Sequence, residues 1–290
     1  MSQEQHSPIA SRLLLGKMLR RLREEAGLSG VETADQMDFG TAKLSKIEQG
    51  HTPVTKSDLK LFFEVLSVPA DLQPTLLDLG AQARRTRRSR TTTSEEALPG
   101  RKFEKYLGLE EVAVRVKDWQ THLIPGILQT PEYARALIHA ANPTYATSRV
   151  DHLVQLRMDR QRVLHRESDP LKLWSIMEEH ALRRVVGGGD THATQLQHLL
   201  EMGHLPHVNI QVIPMSYGEH SGLDGAFAIL DVGNEYPPVV YVESRGRNTY
   251  IESVDELASY QASYDHIQSA ALSPKQSAEA IMQIVKESQR

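Results

Sequence analysis

The sequence predicts an all-α domain of five short helices over residues 12–83, followed by an α+β domain over 101–290 built on a mainly antiparallel sheet. Three observations predict it. Apolar residues over 12–83 recur at helical spacing in five segments separated by Gly, Ser and Pro. From 101 onward, helical segments alternate with short runs rich in β-branched residues. Between them, 84–100 is basic and then Thr/Ser/Glu-rich, the composition of a solvated linker or of an extension of the fifth helix. At 290 residues, 40% of them hydrophobic, the chain is long enough for two cores.

The first helix is expected over Arg12–Ala26, where Leu15, Met18, Leu19, Leu22 and Ala26 define one face and Gly27 supplies a C′ stop. Ser29 is an N-cap for a second helix over about Val31–Met37, and Asp38-Phe39-Gly40 punctuates it. A third runs over Thr41–Gln49, stopped by Gly50 and by Pro53. The fourth, over Thr55–Leu66, buries Leu59, Phe62, Phe63 and Leu66, and the fifth spans Asp71–Ala83.

In the second domain, helices are expected over Arg101–Glu110, Pro131–Ala141, Ser148–Arg166, Thr191–Met202, Val254–Ala270 and Pro274–Glu287. Strands are expected over Val112–Trp119, Leu171–Met177, Val208–Ile213, Ala226–Val232, Val239–Glu243 and Asn248–Ile251. The close spacing of the later strands, with Gly/Pro/Asn turns between them, is what argues for antiparallel pairing.

Composition excludes several classes. Without cysteine there is no disulfide scaffold, zinc ribbon or thiol nucleophile, which fits a reducing compartment. The opening MSQEQHSPIASR has no signal-peptide pattern, and no stretch approaches the ~20 apolar residues of a membrane span, so a cytoplasmic protein is expected. The net charge of -4 is unevenly divided. Residues 1–90 hold 14 Lys+Arg against 11 Asp+Glu, a balance of +3, which leaves 19 against 26, or -7, for 91–290. A basic module is joined to an acidic one.

The third helix carries the most information. Leu44 and Ile47 face inward, so Ala42, Ser45, Lys46 and Gln49 share the opposite face at i, i+3, i+4, i+7, with Thr41 and Lys43 beside them. This surface is small, polar and cationic, able to approach a major groove and donate to bases or phosphates. The order of parts resembles the Xre/Cro-type helix-turn-helix family, whose fold is lambda-repressor-like. Its signature is present in Leu19-Arg20-Arg21-Leu22-Arg23 with Gly27-Leu28-Ser29, and in Leu44-Ser45-Lys46-Ile47-Glu48-Gln49-Gly50. The resemblance implies a DNA-binding domain that contacts double-stranded DNA through Arg20, Ser29, Thr41, Ala42, Lys43, Ser45, Lys46 and Gln49. One departure is Gly30, where many members place a Gln that reaches a phosphate; Lys43 or Arg20 could replace that contact. The Arg run at 84–90 could add others, each releasing counterions.

In the second domain, Ile124-Pro125-Gly126-Ile127-Leu128-Gln129-Thr130 with Tyr133-Ala134-Arg135-Ala136, Arg157-x-x-Arg160-Gln161, Glu179-His180-Ala181-Leu182-Arg183-Arg184, Val212-Ile213-Pro214 and Gly225-Ala226-Phe227 resemble an uncharacterised domain. That domain follows an Xre-type module in a large actinobacterial regulator family, often encoded beside a small partner protein and linked to development or antibiotic production. Helical projection places Arg157, Gln161 and, nearer the edge, Arg160 on the apolar side of their helix, where they need partners. Gln129, Arg157, Arg160, Gln161 and Glu179 are the candidate pocket, with Glu179 or Glu178 as the counter-charge to Arg157; a structural ion-pair network is the alternative.

Enzyme signatures are weak. Gly187-Gly188-Gly189 lacks the Lys-Ser/Thr of a phosphate loop and fits a hinge before a helix capped by Asp190 or Thr191. His204 and His207 lack metal spacing, and Glu178 and Glu179, read as strand neighbours, would face opposite ways. The expectation is a non-enzymatic, homodimeric transcription regulator without cofactor or metal, whose second domain senses a ligand or docks a small partner protein. An antitoxin-like partner-binding protein and an enzyme acting on a nucleotide or metabolite are the alternatives.

Overall fold

A computed structural model describes residues 8–84, 101–233, 238–244 and 247–288. By contacts the described residues form two units, one of 8–84 with Arg101–Val112 and one from Ala113 onward.

The first unit is helical. Its elements are α1 (Pro8–Glu25), α2 (Gly30–Gln36), α3 (Thr41–Glu48), α4 (Lys56–Val65) and α5 (Gln73–Arg84), each within a few residues of its expected position. Gly27 and Gly50 terminate α1 and α3 at φ +70° and +68°, the left-handed conformation that glycine adopts without penalty. After α1, the Leu28 N–H donates to Arg23 O at 3.1 Å and the Gly27 N–H to Glu24 O at 3.0 Å, satisfying orphan carbonyls. Leu15, Leu19, Leu44, Ile47, Leu59, Phe62 and Leu76 form the core, each contributing about 1.5–3 kcal/mol on burial. Phe63, expected among them, is only partly buried. A sixth helix, α6 (Arg101–Val112), packs on α1 through a face that includes buried Tyr106 and Leu109. It groups with this unit, although its sequence position places it at the head of the second domain. Of the basic run, Arg84 ends α5 and donates to Val54 O at 2.7 Å; Arg85–Arg90 lie outside the described residues.

The second unit is a six-stranded sheet flanked by helices. Its strands are β1 (Arg115–Gln120), β2 (Lys172–Glu178), β3 (Val208–Ile213), β4 (Phe227–Asp231), β5 (Val239–Ser244) and β6 (Arg247–Ile251), in the order β3-β2-β1-β4-β5-β6. The sheet is mixed, which corrects the mainly antiparallel expectation. β1 pairs parallel with β2, and β2 with β3, whereas β1–β4, β4–β5 and β5–β6 are antiparallel. The cause lies in the connections. Helices α7 (Pro131–Ala141) and α8 (Thr147–Arg160) intervene between β1 and β2, and α9 (Glu179–Arg183) and α10 (Gly189–Met202) between β2 and β3. Crossovers of that length return a strand in parallel, while the short links after β4 permit hairpins.

Three local expectations also change. The helix expected over Ser148–Arg166 stops at Arg160 and tightens into a 3-10 turn over Gln161–His165. Glu179 opens α9 rather than continuing the strand. Gly188, at φ +90°, occupies the N-cap of α10 without a side-chain bond, where Asp190 or Thr191 was expected.

Trp119, Ile176, Ile213, Phe227, Val240, Tyr264 and Ile267 pack between the sheet and α11 (Val254–Ala270). The Trp119 indole donates to Gly222 O at 2.9 Å, and a Cβ on Gly222 would lie 2.6 Å from that ring. At the β3 edge, Leu272 N–H donates to Val212 O at 2.9 Å, and Val212 N–H donates to the buried Ser277 hydroxyl on α12 (Pro274–Ser288) at 3.0 Å.

Candidate nucleic-acid interface

Helix α3 is mounted by its inward residues. Leu44 and Ile47 are 2% and 1% exposed, so their burial fixes the rotation of the helix and turns Thr41, Ala42, Lys43, Ser45, Lys46 and Gln49 to the surface. Two further contacts set its depth and tilt. Gly16, buried within α1, lies so close that a Cβ there would sit 2.4 Å from Ile47 O and 2.6 Å from Glu48 O. Arg23 holds the last residue of α3 through Nε to Glu48 Oε1 at 2.7 Å and Nη2 to Oε2 at 3.1 Å, while Nη1 donates to Leu28 O at 2.9 Å. One guanidinium thus joins α1, the turn before α2 and the end of α3. Both side chains are about nine-tenths buried, and the hydrogen bonds to Glu48 raise the Arg23 pKa above its ordinary value against the opposing effect of burial. Sequence reasoning quoted both residues in the signature without assigning them this task; their recurrence in the signature was the available signal.

The exposed side chains differ in freedom. Gln49 donates to Ser45 Oγ at 3.0 Å, which orients its amide along the helix. Lys43 is engaged, with Nζ 3.1 Å from Asp58 Oδ1 and 3.4 Å from the centroid of the Phe39 ring. Lys46 makes no side-chain hydrogen bond or ion pair among the described residues and projects into solvent. Arg20 pairs with Glu24 at 2.9 Å, both about half exposed. Ser29 caps α2 in a reciprocal box: its Oγ accepts from Glu32 N–H at 3.2 Å, and Glu32 Oε2 accepts from Ser29 N–H at 2.8 Å. Those bonds from Ser29, side chain first and backbone second, hold the Glu32 carboxyl below its usual range. Gly30 follows at the first position of α2, with nothing within 4 Å of a Cβ added there.

In the second unit, the structure brings together four of the five candidate pocket residues. Gln129, 3% exposed, donates to Ile124 O at 2.6 Å, accepts from Arg157 Nη1 at 2.8 Å through its side chain, and accepts from Gln161 Nε2 at 2.5 Å through its backbone carbonyl. Arg160 lies beside Gly126, where a Cβ would sit 3.0 Å from its Nη1. Glu179 is elsewhere. It accepts from Arg183 Nε at 2.6 Å and from Met215 N–H at 2.9 Å, so the Arg157–Glu179 pairing expected from sequence is not formed. Burial raises the Glu179 pKa, but these donors outweigh it and leave the carboxyl below its usual range. Gln195, which sequence reasoning missed, completes the arrangement: wholly buried on α10, it accepts from Thr130 N–H and donates to Leu128 O, both at 2.7 Å. A lone amide on the apolar face with Leu196, Leu199 and Met202 was its only sequence signal.

Among the described residues no group of three or more His, Cys, Asp or Glu could hold a metal, and no helix is long and apolar enough to cross a membrane. Residues 14–76 match the family model of a helix-turn-helix domain, and 103–283 match that of a domain of unknown function, DUF5753. The second match spans well over half of the sequence. The chain belongs to the DUF5753 family. No curated protein and no solved structure matches it. In this DUF5753 member, the helix-turn-helix match contains α2 and α3 and the residues that mount them, while the DUF5753 match begins within α6.

Proposed function

We propose that the chain is a sequence-specific transcription regulator of the Xre type, in which α3 enters the major groove of double-stranded DNA. The observation that carries this reading is the outward face of α3, where Thr41, Ala42, Ser45, Lys46 and Gln49 stand exposed on a helix fixed from behind by Gly16 and the Arg23–Glu48 pair. The helix-turn-helix match supports it. A single α3 offers few base contacts, which favours a homodimer on a two-fold site. Such a protein acts on the nucleoid in the cytoplasm, and its work is binding rather than catalysis.

The DUF5753 domain is proposed to sense a ligand or dock a small partner protein, in keeping with the actinobacterial regulators that the sequence resembles. The Gln129–Arg157–Gln161 node supports a structural task more than an open pocket, because its polar groups bind one another and clamp the Ile124–Thr130 segment. Selection of duplexes from a random pool by the full-length protein, followed by comparison with Lys46→Ala, tests the DNA reading. The wild type should enrich a two-fold sequence, and the folded variant should bind it about 1–3 kcal/mol less tightly if Lys46 reaches a base edge. Equal affinity of the folded variant would remove Lys46 from the readout set, and failure to enrich any sequence would refute sequence-specific binding.

A further inference from the structure

We propose that Asp58 sets the DNA affinity of α3 by latching Lys43, so that DNA of any sequence must displace this carboxylate before Lys43 can bind a phosphate. The inference rests on the DNA-binding reading above and adds a determinant that lies outside α3.

Three arginines of α1 are already paired within the protein. Arg20 pairs with Glu24 at 2.9 Å, Arg21 with Glu25 at 2.8 Å and Arg23 with Glu48 at 2.7 Å. Lys43 differs from Arg20 and Arg21 because its partner is mostly buried, and from Arg23 because Lys43 itself is exposed enough to reach DNA. Asp58 sits in the first turn of α4, where its N–H donates to the Thr55 cap at 3.0 Å, and its side chain is only 15% exposed. Lys43 is 45% exposed, on a long flexible stem one turn before Lys46. The ammonium is held on two sides, by Asp58 Oδ1 at 3.1 Å and by the face of Phe39 at 3.4 Å. A phosphate would exchange one anion for another, so the gain from the new contact is reduced by the loss of the old one.

This exchange is blind to base sequence. Removing the latch therefore raises affinity for all DNA alike, whereas loss of a base contact weakens binding only to the preferred sequence. Pairs of this exposure set the scale at about two- to fivefold.

The test uses the full-length chain at about 0.15 M salt, where the ~8 Å screening length suppresses general charge effects. The probes are a duplex enriched from a random pool by the wild type and a mixed-sequence duplex of equal length. Asp58→Asn should tighten binding to both by the same factor, about two- to fivefold. Lys43→Ala should weaken both, and Asp58→Asn placed on the Lys43→Ala background should change neither. Asp58→Ser gives the same pattern and guards against a folding defect peculiar to Asn. An unchanged affinity in folded Asp58→Asn, or an equal gain with and without Lys43, overturns the latch while leaving DNA binding in place. If the wild type enriches no duplex, the latch and the DNA-binding reading both fall.

Discussion

Gly16→Ala tests how α3 is seated. In an unobstructed helix this substitution stabilises by about 0.5–1 kcal/mol, because alanine loses less backbone freedom. Here the new methyl would lie 2.4 Å from Ile47 O and 2.6 Å from Glu48 O, both backbone atoms. Ordinary C···O contacts begin near 3.3 Å, so the last turn of α3 would have to retreat by roughly 0.7–0.9 Å. Overpacking of that kind costs about 1–3 kcal/mol and exceeds the propensity gain, leaving the helical unit about 1–2 kcal/mol less stable. For a unit of this size each kcal/mol corresponds to roughly 4–8 °C. Hydrogen exchange, read separately over α1–α3 and over the DUF5753 domain, should show the loss in the first region alone. DNA affinity should fall as well, since Glu48 and its bond to Arg23 move with the displaced turn. A Gly16→Ala protein as stable as the wild type would refute the close approach and the mounting of α3 inferred from it.

Other outcomes follow from single positions. Gly30→Gln places the family's amide into open space at the start of α2, so DNA affinity should rise at every salt concentration while the slope of log affinity against log salt stays unchanged, because a neutral amide releases no counterion; anisotropy titrations at several salt concentrations would detect it, and an unchanged affinity would count against a phosphate at this point. Arg157→Leu strips the donor from buried Gln129 Oε1 and should cost the second unit about 1–3 kcal/mol in urea unfolding. Full retention of stability would show that the node does not hold the 124–130 segment. Burial lowers the pKa of His192 and, on the same helix, of His198. The unfolded chain binds protons near pH 6.5, so stability present above that value is lost as pH falls through the lowered folded pKa, and His192→Leu should flatten the wild-type decline between about pH 7.5 and 5.5. Parallel profiles for variant and wild type would assign the decline to other groups.

The helical unit was legible because its signals are local. Spacing of apolar residues gave α1 to α5, and the glycines after α1 and α3 adopt the left-handed stops that their positions demand. The outward face of α3 followed from Leu44 and Ile47 alone. What escaped was long-range. Arg23 meets Glu48 across 25 residues and Gln195 meets Thr130 across 65, and no periodicity encodes such pairs. Arg157, half-buried, meets the Gln129 amide, and the expected Glu179 lies elsewhere, bonded to Arg183 and Met215. The parallel half of the sheet was implicit in the long helical segments between its strands, yet the hairpin spacing of the later strands outweighed it. Five-residue α9 is too short to show a helical period.

The sealed β3 edge bears on how the protein is made. Ser277 follows Val212 by 65 residues, so while a ribosome is still adding those residues the β3 backbone has neither Leu272 nor Ser277 to meet it. At some 5–20 residues per second, the β3 edge stays open for roughly 3–13 seconds, while β4, β5 and β6 are themselves being added. During that interval the strand is a template for neighbouring nascent chains. Helix α12 therefore closes a window of vulnerability that opens once in the life of each molecule.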